Sequence, residues 1–168
     1  MAFAYYKKLS PAQKKVYRAS DGVHALRLPY AKEFVPFVAA LSRALEAEDQ
    51  GETQKYTKKF IDALCQVFKV PPVRVKVLAR RPSAHWGELH GLYESETDFT
   101  ITVWMRTAKR HQVVAFKTFL RTVLHEVLHH LDYHLFRLGD SFHTEGFYKR
   151  ESSLLKQLLP SSKNPTRI

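Results

Sequence analysis

The stretch Phe119-Leu120-Arg121-Thr122-Val123-Leu124-His125-Glu126-Val127-Leu128-His129-His130-Leu131 decides the fold, and everything else is placed around it. Phe116, Phe119, Leu120, Val123, Leu124, Val127, Leu128 and Leu131 recur at helical spacing, which predicts one long helix over about 113–136, closed by Gly139-Asp140. Within it His125, Glu126 and His129 form an H-E-x-x-H pentapeptide. Four residues advance a helix by about 400°, so both imidazoles share one face about 6 Å apart along the axis. That spacing lets two ring nitrogens hold one tetrahedral Zn²⁺. Glu126 is turned about 100° away, within reach of a water on the metal. With nine His and ten Glu in 168 residues, chance supplies such a pentapeptide only about 0.03 times. A metal site is the economical explanation, because two buried neutral histidines on one face would otherwise need two separate partners.

The texture upstream of this helix is that of a small sheet. Val73, Val75 and Val77 alternate with Arg74 and Lys76 and predict a half-buried strand; Glu88–Tyr93, interrupted by Gly91, predicts a second, and Thr100–Met105 a third. The acidic run Glu94-Ser95-Glu96-Thr97-Asp98 is read as a hairpin loop. Before the double proline Pro71-Pro72 the pattern is helical. Ser10-Pro11 opens a helix to about Ala19, residues 32–49 carry a second broken by Gln50-Gly51, and Tyr56, Phe60, Ile61, Leu64 and Phe68 mark a third. A last helix is expected over about 145–158. The expectation is therefore an α+β fold in a single domain, residues 1–168. It has a helical N-terminal part at 1–71, a core at 72–159 with a small sheet of three or more strands and the active-site helix, and a loose tail at 160–168.

Composition narrows the functional classes. Hydrophobic residues make up 45% and charged residues 26%, which excludes a disordered chain. The lone Cys65, expected in the core, excludes a disulfide framework and any cysteine-rich zinc finger, so a metal must be held by His and carboxylates. No apolar run is long enough to span a membrane, and the first residues lack the pattern of a signal peptide, so a cytoplasmic location is expected. The charge is uneven: residues 1–81 carry 16 Lys and Arg against 7 Asp and Glu, while residues 82–168 carry 11 against 9. A basic N-terminal half predicts either a solvated cationic surface or an acidic partner such as nucleic acid.

His125, Glu126 and His129 resemble the active-site motif of the zincin metallopeptidases. Asp140-Ser141-Phe142-His143-Thr144-Glu145-Gly146-Phe147-Tyr148 resembles the third-ligand segment of SprT-like and WLM-like zincins, in which a His follows the helix after a brief loop. The likeness covers about residues 73–158. It implies zinc-dependent peptide hydrolysis with Glu126 as general base, and a substrate paired to an edge strand, for which Thr100–Met105 is the candidate. The metzincin spacing fails, since position 135 is Leu. The third ligand stays open between His143 and, in a gluzincin-like arrangement, Glu151, with Glu145, Asp132 and His134 behind them. Asp132 either fixes the tautomer of a ligand ring or pairs with a cation. Tyr148 either stabilises an oxyanion or packs, His130 is structural, and His85 and Trp86 border the cleft. The competing function is a zinc-stabilised, non-catalytic binding module for an acidic partner such as nucleic acid. In that case zinc would carry a fourth protein ligand.

Overall fold

The computed structural model describes residues 2–96 and 98–159, so the expected tail 160–168 lies outside the described residues. The chain is α+β. Helix α1 (Pro11–Asp21) starts at a reciprocal cap in which the Ser10 hydroxyl accepts from the Gln13 amide and the Gln13 side chain accepts from the Ser10 amide. Helix α2 spans Val35–Glu46, and a 3₁₀ turn at Ala31–Phe34 stands where the sequence predicted its first turn. Helix α3 spans Gln50–Phe68. Gln50-Gly51, expected to be a break, is instead its first turn, because the Asp49 carboxylate accepts from the Glu52 amide and caps it there.

Five short strands follow: β1 (Arg74–Arg80), β2 (Ser83–Ala84), β3 (Gly87–Glu88), β4 (Gly91–Glu94) and β5 (Thr100–Arg106). The expected second strand is split, its first residue belonging to a small β2–β3 hairpin and its end forming β4. The main sheet is mixed, in the order β1-β5-β4, with β1 parallel and β4 antiparallel to β5. This corrects the edge strand: Thr100–Met105 is the central strand, and β4 forms the edge. Residues 100–105 are buried on both faces, whereas β1 and β4 alternate. The far edge, β1, is sealed by side chains of α3. Gln54 donates to the Val75 carbonyl at 2.8 Å and accepts from the Val77 amide at 2.6 Å, and Gln50 donates to the Val77 carbonyl at 3.1 Å. The open edge of the sheet is therefore β4.

Helix α4 (Phe116–His134) and helix α5 (Glu145–Leu158) complete the described elements. The long helix begins three residues later than its periodicity predicts, because Val113 bridges to Arg106 and the Val114 amide donates to the Met105 carbonyl, drawing both valines into the sheet. Val75, Val77, Ile101, Val103 and Met105 face the helical layer and join one core with Phe60, Leu64, Leu120, Leu124, Leu128, Phe147 and Leu154. Each large apolar side chain buried there contributes about 1.5–3 kcal/mol. The start of α5 presses on the end of α1 at Gly146, where a Cβ would lie 2.5 Å from the Asp21 carbonyl. No described helix is long and apolar enough to cross a membrane.

Candidate metal centre

Helix α4 is buried on most of its circumference, and its polar residues are the exceptions that need partners. His125 and His129, one turn apart, face the loop that joins α4 to α5. Thr144 caps α5 by accepting from the Phe147 amide at 2.9 Å, and this holds the preceding residue, His143, against α4. The three rings converge. His143 Nε2 lies 3.0 Å from His125 Nε2 and 3.0 Å from His129 Nε2, and the ring centroids are 4.8–5.0 Å apart.

The opposite ring nitrogens show which protons are where. His125 Nδ1 donates to Glu151 Oε2 at 2.9 Å, and the other Glu151 oxygen accepts from Arg121 Nη1 at 2.8 Å. His129 Nδ1 lies 2.7 Å from Ser141 Oγ, and that hydroxyl donates to Asp132 Oδ2 at 2.8 Å. A hydroxyl has one proton, so Ser141 must accept from His129 Nδ1–H. Both Nε2 atoms are then bare, and His143 Nε2 has at most one proton to offer them. Three converging lone-pair sites with a deficit of protons fit a cation. Three imidazole nitrogens on a tetrahedral Zn²⁺ stand about 3.3 Å apart for bonds of about 2.05 Å; the two separations from His143 are close to that, and all three ligand atoms lie within 4.8 Å of one another. His129 and His143 also favour the neutral, ligating form. Burial, then the neighbouring His125 and His143, pushes His129 down to about 3, and burial with His125 lowers His143.

Of the candidates for a third ligand, His143 is the one brought to the pair. Glu151 is placed behind His125, on its Nδ1 side. Glu145 is exposed and pairs with Lys149 at 2.8 Å, and His134 packs against Phe99 and His130. Asp132 is fully buried and pairs with a cation, accepting from Arg150 Nη2 at 3.1 Å; it does not meet a ligand ring directly, since the Ser141 hydroxyl stands between it and His129. His130 is structural: it lies between the Tyr93 hydroxyl and the Pro71 carbonyl, and burial lowers it to about 4. Cys65 is buried in the core.

Glu126 is 6% exposed, and no hydrogen-bond donor among the described residues meets its carboxylate; burial pushes it up to about 7. It lies between two cavities that also share Gly91 and His125. One, of about 420 Å³, is walled by Arg121, Thr122, Tyr148 and Glu151; the other, of about 320 Å³, by Tyr93, His129, Tyr133 and His143. Tyr148 lines the first of these and is itself exposed, its ring 6.1 Å from that of His125 and 5.9 Å from that of His143. His85 and Trp86 form the β2–β3 turn, outside both linings, so they do not border the cleft.

No model of a known protein family matches the chain, and no curated protein or solved structure matches it. The site therefore stands on its own geometry. Sequence reasoning missed Ser141, Arg150 and the reason for Gly91. A Cβ on Gly91 would lie 2.5 Å from Glu126 Oε1 and 2.9 Å from Thr122 Cγ2, so only glycine lets the β4 edge run this close to the carboxylate. Nothing in the local sequence marks Ser141. Arg150 does carry a signal, since it stands with Phe147, Leu154 and Leu158 on the buried stripe of α5.

Proposed function

We propose that the chain is a zinc-dependent metallopeptidase with a zincin-like core, and that His125, His129 and His143 hold the ion. The observation that carries this reading is the convergence of three imidazoles beside a buried carboxylate that no donor among the described residues meets. When bound, zinc supplies Lewis-acid activation of a water and of a substrate carbonyl. Glu126 takes the proton of that water as general base and returns it to the leaving amine. Its burial supports this role, because a carboxyl raised toward neutrality exchanges protons near working pH. Tyr148, which lines the cavity beside His125 and Glu126, supplies a hydroxyl for the developing oxyanion in this reading. A peptide in extended form pairs along β4, the open edge, so that its scissile bond passes Gly91 and faces Glu126. Among the described residues the cluster has three members and no fourth His, Cys, Asp or Glu, which favours an open catalytic position over a closed structural one.

The test is metal content together with turnover. Wild-type protein should take up one zinc per chain and cleave casein or a peptide library, and His129→Ala should lose both, with activity falling at least about 10³-fold. Zinc uptake by His129→Ala equal to wild type would end the assignment.

The cationic stretch supports an anionic partner for the same enzyme. Lys7, Lys8, Lys14, Lys15 and Arg18 precede the first acidic residue, Asp21, and from the same stretch the Tyr5 hydroxyl donates to the His143 carbonyl at 2.8 Å. The basic stretch is thus tied to the site through Tyr5. Binding of single-stranded DNA should weaken steeply with salt, the logarithmic slope giving the number of phosphates neutralised. A chain that shifts no DNA at 20 µM and low salt has no such partner, and the peptidase reading is unaffected.

A further inference from the structure

We propose that Ser141 is a positioning residue for the metal centre: its hydroxyl holds His129 in the Nδ1–H tautomer by relaying the ring to the buried Asp132–Arg150 pair. The proposal rests on the metal reading above and assigns the part of the site that reading leaves unexplained. His125 and His129 sit on the same helix face, but they are backed differently. A carboxylate, Glu151, meets His125 directly, whereas a hydroxyl stands between His129 and its carboxylate.

The relay has a fixed direction. Arg150 cannot lose its proton, is fully buried, and donates to Asp132 Oδ1 at 3.1 Å, so Asp132 is its counter-charge. The Ser141 proton therefore goes to Asp132 Oδ2, and the Ser141 oxygen is left to accept from His129 Nδ1–H. Ser141 also lies two residues before His143, and its own amide donates to Asp140 Oδ1 at 2.8 Å. One short loop thereby delivers the third imidazole and fixes the proton of the second. Arg150 extends the network to α1, donating to the Ser20 and Val23 carbonyls at 2.6 and 2.7 Å. The N-terminal helix is in this way part of the support of the metal centre.

Without the hydroxyl, the neutral His129 ring is free to carry its proton on Nε2, the atom the metal needs. Outer partners of ligating histidines typically change metal affinity by about 10–100-fold. Ser141→Ala should weaken zinc binding by about tenfold or more in competition with a chromophoric chelator. Ser141→Thr, which keeps the hydroxyl, should retain most of it. Long-range proton–nitrogen correlation spectra of the metal-free protein supply a readout that a purely architectural serine would not move. His129 should appear as the Nδ1–H tautomer in the wild type and in Ser141→Thr, and should shift toward Nε2–H in Ser141→Ala. Circular dichroism establishes that all three proteins are folded. Zinc affinity of Ser141→Ala within twofold of wild type, or an Nε2–H His129 in the wild type, overturns the relay alone. A wild type that takes up no zinc overturns the metal reading, and the relay's role falls with it.

Discussion

Replacing Glu126 by Gln should leave zinc uptake intact and lower peptide hydrolysis by about 10²–10⁴-fold, the usual share of a general base. The amide fills the same volume between Gly91 and Thr122 but accepts no proton from water. The three imidazoles hold no bond to this side chain, so the metal and the catalytic step separate cleanly in this variant. The pH profile adds a sign. A general base works only when ionised, so wild-type kcat/KM should fall as pH is lowered through its apparent pKa. That value should lie below the figure of about 7 to which burial chiefly raises it in the metal-free protein, because a bound cation favours the carboxylate. Stability carries the complementary signature. Since burial raises Glu126 above its ordinary value of 4.5, the metal-free wild type loses stability as pH rises from there through about 7. The Gln variant lacks that part of the decline. A Glu126→Gln enzyme with wild-type turnover would remove this residue from the chemistry.

Replacing Arg150 by Met should lower the unfolding free energy by about 3–5 kcal/mol, the typical cost of breaking a buried ion pair from one side. Both Arg150 and Asp132 are fully buried, and the guanidinium makes four donations: to the Ser20 and Val23 carbonyls, the Ser20 hydroxyl and the Asp132 carboxylate. Met matches much of the volume, so the loss is mainly of charge and donors. Pairing it with Asp132→Leu removes the stranded carboxylate and should recover much of the stability, while still weakening zinc binding through Ser141. Urea unfolding of the three proteins in chelator measures this. A single-variant loss under about 1 kcal/mol would mean that Asp132 finds another partner.

How far the fold and the candidate site were legible depended on whether the deciding contact was local. Periodicity located all five helices, and the Ser10 and Thr144 caps are short-range bonds written in adjacent residues. The motif on α4 placed two imidazoles correctly because helix geometry alone fixes their relation. Strand order was another matter. The resemblance makes residues 100–105 an edge; the structure covers both faces, burying Thr100 and Thr102 along with Ile101 and Val103, and such a mixed polar and apolar run does not announce a central strand. The choice between His143 and Glu151 could not be made from spacing, since both follow a reversal of the chain. It turns on which nitrogen of His125 each one meets. Ser141 was illegible for the same reason: its partners, His129 and Asp132, stand 12 and 9 residues back across a turn.

The contacts of Arg150 with Ser20 and Val23 join positions 130 and 127 residues apart in sequence. During synthesis α1 emerges well before α5, so its terminal carbonyls meet the Arg150 guanidinium only after α5 has been made. Closing so long a loop is slow compared with local helix formation. A nascent chain halted before α5 would already carry His125, His129 and His143, but it would lack Arg150, the residue that fastens Asp132 to α1.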